Sequence, residues 1–192
     1  ALAWSADVED GAHFECSDKK LNTLHQVCRR TFRANLQSVQ SDCPGREKFG
    51  YGGDIAGVAE SFRVNWKMAP FYRKAIRDFL DEAADDGFLT ETAPYVGIGS
   101  KPVIPKEETG SRAISPMGWT LGVPVMADIL LRYDGDIDIV REAYPTLARF
   151  ADIISARYPD DDIPECLGDW IAIEKADMKL IPKALKLIVP KG

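Results

Sequence analysis

Apolar residues recur along most of the chain at the spacing of three and four that marks one buried face of an amphipathic helix. A first helix is predicted to begin with Ser17 as its N-cap. A second helix follows Asp54, and a third begins at Pro70, which a first helical turn tolerates, and ends at Gly87. We expect the second and third helices to form a hairpin. The three predicted stripes are Leu21, Leu24, Cys28, Thr31, Phe32 and Asn35; Ile55, Val58, Ala59, Phe62 and Trp66; and Phe71, Ala75, Phe79, Leu80 and Ala83.

Helical spacing resumes in the second half of the chain. One helix is predicted to begin at Leu121 and to stop at Asp134 and Gly135, and another follows it. Pro145 is expected to open or kink a further helix, because proline removes a backbone hydrogen bond from a helix interior. Residues 176–189 form a basic amphipathic tail.

Two segments depart from the helical pattern. Residues 11–16 (GAHFEC) alternate enough to predict a short strand. Residues 88–116 contain four prolines and three glycines, so we expect an irregular excursion of the kind that often serves a functional site. The pattern as a whole predicts an all-α fold preceded by one short strand.

Charge and length narrow the classes of partner. The chain has 192 residues, 30 of them acidic and 24 basic, with a formal net charge of −6. A chain of this length can bury a core without disulfides or a structural metal. The acidic balance argues against nucleic acid and anionic membrane surfaces as partners. No apolar stretch is long enough to span a bilayer.

The cysteines suggest neither a disulfide framework nor a metal site. Cys16, Cys28, Cys43 and Cys166 include no C-x-x-C pair, and the two histidines add no zinc-ligand spacing. We expect free buried thiols, no metal and no cofactor, with a reducing, cytoplasmic compartment slightly favoured. The first residues show neither a signal-peptide pattern nor an initiator methionine, so we expect the chain to begin within a longer protein.

One short segment concentrates the candidate chemistry. Residues 42–54 (DCPGREKFGYGGD) combine three carboxylates, one arginine, one proline and four glycines between two predicted helices. Such a loop turns sharply and can present Asp42, Glu47 and Asp54 together. Clustered carboxylates oppose each other's ionisation, which raises at least one pKa toward the range useful for proton donation. A solvated loop in which Arg46 pairs with a neighbouring carboxylate is the alternative on composition alone.

This segment resembles the DCPQRE-x-x-GW-x-GD signature of bacterial α-L-rhamnosidases, glycoside hydrolases whose catalytic domain is an (α/α)6 barrel. The similarity extends to HFECSDKKLN, GFLTETAP, ISPMGW and GDW, and so covers about residues 11–172. It implies that residues 1–16 are a strand or linker from a preceding domain. Residues 17–192 would then be the N-terminal part of the six-hairpin domain, with about three hairpins. The matching signature positions are Asp42, Cys43, Pro44, Arg46, Glu47, Gly50, Gly53 and Asp54.

The resemblance implies cleavage of terminal α-L-rhamnosides with inversion at the anomeric carbon. Glu47 matches the family's general acid. Asp42 and Asp54 match residues that hold sugar hydroxyls, and Arg46 could donate to them or orient Glu47. Further substrate contacts are implied for the aromatic walls Trp119 and Trp170 and for the neighbouring Asp169.

Several of these positions leave alternatives open. Ordinary core packing would also explain Trp119, and a helix N-cap would explain Asp169. The chain departs from the family where Gly45 replaces glutamine, Tyr51 replaces tryptophan and Leu121 removes an expected carboxylate. Subsite preference therefore stays open.

The resemblance places the catalytic base, a glutamate, in the distal half of the barrel. About seven helices are predicted here, whereas six hairpins need about twelve, so we expect this chain to be inactive alone. The implied partner is a rhamnose-containing oligosaccharide or glycoside. The uncovered apolar side of the tail predicts either a homo-oligomer or a complementary C-terminal part of the barrel. The alternatives are a non-catalytic carbohydrate-binding domain and a helical assembly or interaction domain.

Overall fold

The computed structural model of the protein describes residues 4–97 and 117–160. Within these ranges the chain is helical and contains no strand, which confirms the predicted all-α class. The predicted tail 176–189 lies outside the described residues. No helix in the described ranges is long and apolar enough to cross a membrane. The helices are α1 (Lys19–Ala34), α2 (Gly52–Asn65), α3 (Ala69–Glu82), α4 (Met117–Thr120), α5 (Gly122–Asp134) and α6 (Ile137–Arg157).

The longer helices form two layers. Helix α5 contacts α2, α3 and α6, and α3 also contacts α6. Helices α2 and α5 therefore lie in one layer and α3 and α6 in the other, so that successive helices alternate between layers. Helices α2 and α3 are joined by residues 66–68, and the Tyr72 hydroxyl donates to the carbonyl oxygen of Ala59 across them (3.1 Å). Helix α3 nevertheless contacts α5 more extensively than α2.

Helix α2 supplies the centre of the core. Ile55, Ala59 and Phe62 are buried, as the stripe predicts, and Trp66 is buried just past the end of the helix. Val58 lies on the same predicted stripe but is 36% exposed. The core continues with Val123, Met126, Ile129 and Leu130 of α5 and with Ile139, Ala143 and Phe150 of α6.

Helix α3 differs from its prediction in its buried face and its end. Pro70 lies in the first turn, as predicted. The buried face also includes Tyr72 and Ile76, because α3 is packed between α5 and α6 and so covers a wider arc. The helix ends at Glu82, and Gly87 instead occupies the following turn with a φ of +96°.

Helix α1 begins one residue later than predicted. Its N-cap is Asp18 and not Ser17, because the Asp18 carboxylate accepts from the backbone N–H groups of Lys20 (2.7 Å) and Leu21 (3.4 Å). Either residue type can cap a helix, so the pattern located the helix but not its cap.

The predicted apolar face of α1 is largely uncovered. No residue of α1 is buried, and Leu21 and Leu24 of the predicted stripe, like the neighbouring Val27, are each exposed by half or more. The helix packs on another side, where the Phe32 ring stacks on Phe62 (4.6 Å between centroids) and the His25 ring lies 5.0 Å from that of Phe14. Nothing in the described part of the chain covers the rest of this face.

The short strand predicted for residues 11–16 does not form. The segment pairs only at its start, through a bridge between the preceding Asp10 and Trp66 and a hydrogen bond from the Gly11 N–H to the Asn65 carbonyl oxygen (2.8 Å). The prediction was wrong because the partner segment turns at once into α3 and offers no second strand.

Helices α5 and α6 are separated as predicted, but α6 is not interrupted. Gly135 ends α5 in the left-handed conformation (φ +65°), and the Asp136 side chain caps α6 by accepting from the Ile139 N–H (3.2 Å). Pro145 lies inside the single helix Ile137–Arg157 and does not open a new one. A proline costs one backbone hydrogen bond, and the packed helix continues on both sides of it.

The described cysteines are free thiols, but they are not buried. Cys28 is exposed, and Cys16 and Cys43 are partly exposed, so the prediction of burial was wrong for these three. Cys166 lies outside the described residues.

Candidate active site

The loop between α1 and α2 is closed by Asp42. The Asp42 N–H donates to the carbonyl oxygen of Phe49 (3.1 Å), and the Phe49 N–H donates to Oδ1 of Asp42 (3.0 Å). Lys48, just before this closure, takes the left-handed conformation (φ +61°) that non-glycine residues rarely adopt. The tight loop places Glu47 at its exposed tip, with the backbone of the loop turned back onto α2.

The segment after α3 anchors the start of α2. The Gly52 N–H donates to the carbonyl oxygen of Glu91 (2.8 Å), and the Ala93 N–H donates to that of Gly50 (3.1 Å). Residues 87–93 are buried, so the first part of the predicted irregular excursion is ordered packing against the motif. Residues 98–116 of that excursion lie outside the described part.

Glycines in the motif make room for α4 and α5. A Cβ at Gly52 would lie 1.9 Å from the carbonyl oxygen of Trp119, and one at Gly53 would lie 2.8 Å from Cδ2 of the same indole. A Cβ at Gly122 would lie 2.7 Å from the Cα of Gly52. Trp119 is therefore seated on Gly52 and Gly53 in the first turn of α2, and its side chain is half-buried.

Burial and neighbouring charges shift the pKa values of Asp54 and Tyr51 in the cluster. Burial raises the pKa of Asp54, and the negative charges of Asp42 and Glu47 raise it further. The prediction that clustering raises the pKa of at least one carboxyl is confirmed at Asp54, although burial is the first cause. The Tyr51 hydroxyl donates to Oε2 of Glu47 (3.0 Å). Burial, this hydrogen bond and the charges of Glu47, Asp42 and Glu91 raise the pKa of Tyr51 to about 12.

The structure brings Asp42, Glu47 and Asp54 together at one end of α2, as the loop composition predicts, and Trp119 lies on the neighbouring Gly53. The guanidinium of Arg46 is exposed and has no hydrogen-bond or ion-pair partner among residues 4–97 and 117–160. The alternative in which Arg46 pairs with a neighbouring carboxylate is thus absent from this part of the chain. The predicted substrate contacts Asp169 and Trp170 lie outside the described residues.

Sequence reasoning missed two members of this site. The sequence marks Tyr51 only as a departure from the family's tryptophan, although its hydroxyl contacts Glu47 directly. Glu91 is only 7% exposed, and its charge acts on Tyr51 from the segment after α3. Glu91 is the one charged residue in the sequence 87–94 (GFLTETAP). This was the available signal, because an ionisable group rarely becomes buried without a partner or a function.

A separate depression lies away from the candidate site. A cavity of about 870 Å³ lies at the opposite end of α2, where Arg63 and Lys67 line it together with residues 6–9. It contains none of the motif carboxylates. The candidate site is therefore located by chemistry and not by volume.

Glycoside hydrolases act with paired carboxylates, and here three carboxylates lie at one end of a helical scaffold. The comparisons with known proteins agree. Residues 9–184 match the family described as the bacterial alpha-L-rhamnosidase 6 hairpin glycosidase domain. The chain belongs to this family.

Individual relatives show the same similarity. The chain is 25% identical over 195 residues to an alpha-L-rhamnosidase of Formosa agariphila, an alignment that covers 97% of this chain and 19% of the relative. It resembles the structure of alpha-L-rhamnosidase from Dictyoglumus thermophilum with a TM-score of 0.68 and 26% identity, over 81% of this chain and 16% of that one.

A further resemblance, to Streptomyces avermitilis alpha-L-rhamnosidase complexed with L-rhamnose, has a TM-score of 0.72 at 24% identity and supports the fold alone. It covers 88% of this chain and 16% of that one. The chain thus spans less than a fifth of the length of the relatives it matches.

Proposed function

We propose that this chain forms the acid-bearing part of the catalytic domain of an inverting α-L-rhamnosidase. The single observation that carries the proposal is the meeting of Asp42, Glu47 and Asp54 at the start of α2, where the Trp119 indole lies on Gly53. Family membership supports the reaction class, and the assembled cluster supports the location of the site. In this proposal residues 1–16 link to a preceding domain, and residues 17–192 belong to the six-hairpin domain.

Glu47 is proposed as the general acid. It stands at the exposed tip of a loop that is closed behind it by Asp42 and Phe49, so its carboxyl can reach a glycosidic oxygen that approaches from solvent. In an inverting reaction this group protonates the leaving oxygen while a second carboxylate activates water on the opposite face of the sugar. The resemblance places that second carboxylate in the distal part of the barrel.

Asp42 and Asp54 are proposed to hold sugar hydroxyls. Oδ1 of Asp42 accepts from the Phe49 N–H, which fixes the direction of the carboxylate and leaves Oδ2 for a ligand. Asp54 is half-buried and directly follows Gly53, on whose backbone the Trp119 indole lies. Trp119 would pack on the C–H face of the deoxysugar.

The other proposed contacts extend the same site. Arg46 is exposed beside Glu47 with its donors unpaired in the described part of the chain, so it can bind a substrate hydroxyl or orient the acid. Asp169 and Trp170 are proposed as further substrate contacts on the sequence resemblance alone.

The experiment that tests the reaction follows the anomer released from an aryl α-L-rhamnoside by NMR. A polypeptide with the complete six-hairpin domain is expected to release β-L-rhamnose first, whereas the 192-residue chain alone is expected to show no turnover. Release of the α anomer first, or no hydrolysis by the complete domain, would contradict the proposal. Absence of saturation transfer between L-rhamnose and the chain would instead favour a helical interaction domain.

We also propose that the uncovered apolar face of α1 packs against the complementary part of the barrel. Three half-exposed aliphatic side chains on one helix form an apolar strip of the kind that proteins normally cover: Leu21, Leu24 and Val27. The relatives have more than five times the length of this chain, which supplies the missing helices in their case. A homodimer formed through the same face is the competing outcome.

A further inference from the structure

Tyr51, which contacts Glu47, occupies the position where the family signature has tryptophan. The Tyr51 hydroxyl donates to Oε2 of Glu47 at 3.0 Å, over four residues of chain. Tyr51 itself is held from two sides. Its ring lies 6.1 Å from that of Phe49, and its backbone bridges Thr92 of the segment after α3. The donor is therefore fixed, while the acceptor stands at the tip of the loop.

We propose that Tyr51 is a positioning residue. Its hydroxyl binds Oε2 of Glu47, so that Oε1 is the oxygen that delivers the proton. This inference rests on the proposed role of Glu47 as general acid. It adds a group to the site that neither the signature nor the family description assigns.

The hydroxyl acts as a donor throughout the neutral range. Asp42 and Glu91 add negative charge around Tyr51, and Glu91 is buried close to it. These charges oppose formation of a phenolate, so the pKa of Tyr51 is raised to about 12. Because the Tyr51 hydroxyl stays protonated, it can donate to Oε2 of Glu47 and so leave Oε1 to carry the proton that is transferred.

The contact favours the transition state over the ground state. When Oε1 gives its proton to the leaving glycosidic oxygen, the bond between the anomeric carbon and that oxygen breaks, and Glu47 becomes a carboxylate. The negative charge that develops spreads onto Oε2, where the hydroxyl of Tyr51 already donates. A hydrogen bond to a charged acceptor is about twice as strong as one to a neutral acceptor, so the contact strengthens as the proton leaves.

The first test measures the contact on the 192-residue chain and needs no enzymatic activity. The ring Cζ of Tyr51 is titrated by NMR and assigned by loss of its signal in Tyr51→Phe. In Glu47→Gln the pKa of Tyr51 is expected to fall below its value of about 12, because a charge and a charged acceptor are removed. Glu60→Gln is the matched control, since Glu60 accepts from the remote Tyr133 hydroxyl and its loss is expected to leave Tyr51 unchanged.

The second test measures the consequence in the polypeptide with the complete domain. Tyr51→Phe is expected to lower kcat about tenfold for rhamnosides with poor leaving groups, with KM changed less than twofold. The loss should be smaller for an activated aryl rhamnoside, which needs little protonation. Tyr133→Phe removes an equivalent hydroxyl-to-glutamate contact on α5 and is expected to leave kcat unchanged.

The two tests fail in different ways. If Glu47→Gln leaves the Tyr51 titration unchanged, the contact does not exist and the inference is overturned, whatever the enzyme does. If the contact is present but Tyr51→Phe lowers kcat equally for good and poor leaving groups, or raises KM instead, Tyr51 does not position the acid. Absence of turnover in the unsubstituted complete domain would overturn the proposed function, and the positioning role with it.

Discussion

The indole of Trp119 lies directly on the backbone of Gly53, so closely that a Cβ at residue 53 would stand 2.8 Å from Cδ2. Gly53→Ala is therefore expected to displace the indole and to lower the stability of the fold by about 1 to 3 kcal/mol. Gly57→Ala is the matched control on the same helix, because a Cβ there meets nothing within 4 Å. It should stabilise α2 by up to about 1 kcal/mol.

Chemical denaturation and the indole N–H resonance of Trp119 measure the two effects separately. A Gly53→Ala protein that is as stable as Gly57→Ala, with an unmoved Trp119 resonance, would mean that the indole is not seated on this glycine.

Substitution of Glu47 by glutamine separates acid catalysis from binding. Glu47→Gln keeps the size of the side chain and its hydrogen-bonding capacity but cannot donate a proton. In a polypeptide with the complete domain, kcat should fall about 10² to 10⁴-fold for poor leaving groups and much less for an activated aryl rhamnoside. Equal losses on both substrates would remove Glu47 from the acid's role and point to Asp42 or to Asp54, whose pKa is raised.

Asp54→Asn is expected to act on binding. A lost hydrogen bond between a carboxylate and a sugar hydroxyl weakens the ground state and the transition state alike, so KM should rise together with a fall in kcat. The expected loss in kcat/KM is about 10 to 100-fold. Steady-state kinetics on two leaving groups provide the check, and a fall in kcat at constant KM that depends on the leaving group would assign the acid to Asp54 instead.

The same substitution should change how stability depends on pH. Burial and the charges of Asp42 and Glu47 raise the pKa of Asp54 in the folded protein, so the folded state binds this proton more tightly than the unfolded state does. The stability that the protonated group contributes is fully present at low pH and is lost as the pH rises through the folded pKa. Asp54→Asn should thus melt at a higher temperature than the unsubstituted chain at pH 7, and the difference should vanish near pH 3. A difference that is the same at both pH values would exclude Asp54 as its source.

Local patterns predicted the elements of this fold well. The stripe of α2 identified Ile55, Ala59 and Phe62 as buried, and the glycine after Asp134 located the end of α5. The resemblance of residues 42–54 to a family signature located the carboxylate cluster. These features depend on residues close together in sequence, where spacing alone carries the information.

Features that depend on distant packing were not predictable in the same way. The approach of Trp119 to Gly53 and the charge of Glu91 near Tyr51 each join segments about 40 to 70 residues apart. Likewise, the periodicity of α1 predicts an apolar face but not whether another helix covers it. Spacing along the chain cannot report which segments meet, because this is decided by the packing of the layers.

An ion pair between α3 and the start of α6 predicts a loss of stability in acid. Asp136 caps α6, its side chain is only 5% exposed, and it pairs with Arg73 of α3. The hydrogen bond from Arg73 is the first cause that lowers the pKa of Asp136. The stability that ionised Asp136 contributes to the fold is therefore present above the unfolded pKa and is lost as the pH falls through the folded pKa. Asp136→Asn should cost about 1 to 2 kcal/mol at pH 7 and approach the stability of the unsubstituted chain at acidic pH.

Urea unfolding between pH 3 and pH 7 provides the measurement for this ion pair. Asp138→Asn, in the same helical turn but with its side chain 88% exposed, is the matched control and should follow the unsubstituted chain at every pH. An acid-induced loss that is undiminished in Asp136→Asn would assign it to other carboxylates.

The uncovered face of α1 predicts that the isolated 192-residue chain associates. Leu24 is 58% exposed at the centre of the apolar strip that includes Leu21 and Val27, and burial of such a strip against another surface is favourable by about 25 cal/mol per Å². Leu24→Lys places a charge in the strip, so sedimentation velocity should show less self-association than in the unsubstituted chain. Val64→Lys changes an equally exposed aliphatic residue at the end of α2 and is expected to have no such effect. A monodisperse monomer without any substitution, or equal effects of both lysines, would show that the strip does not drive association.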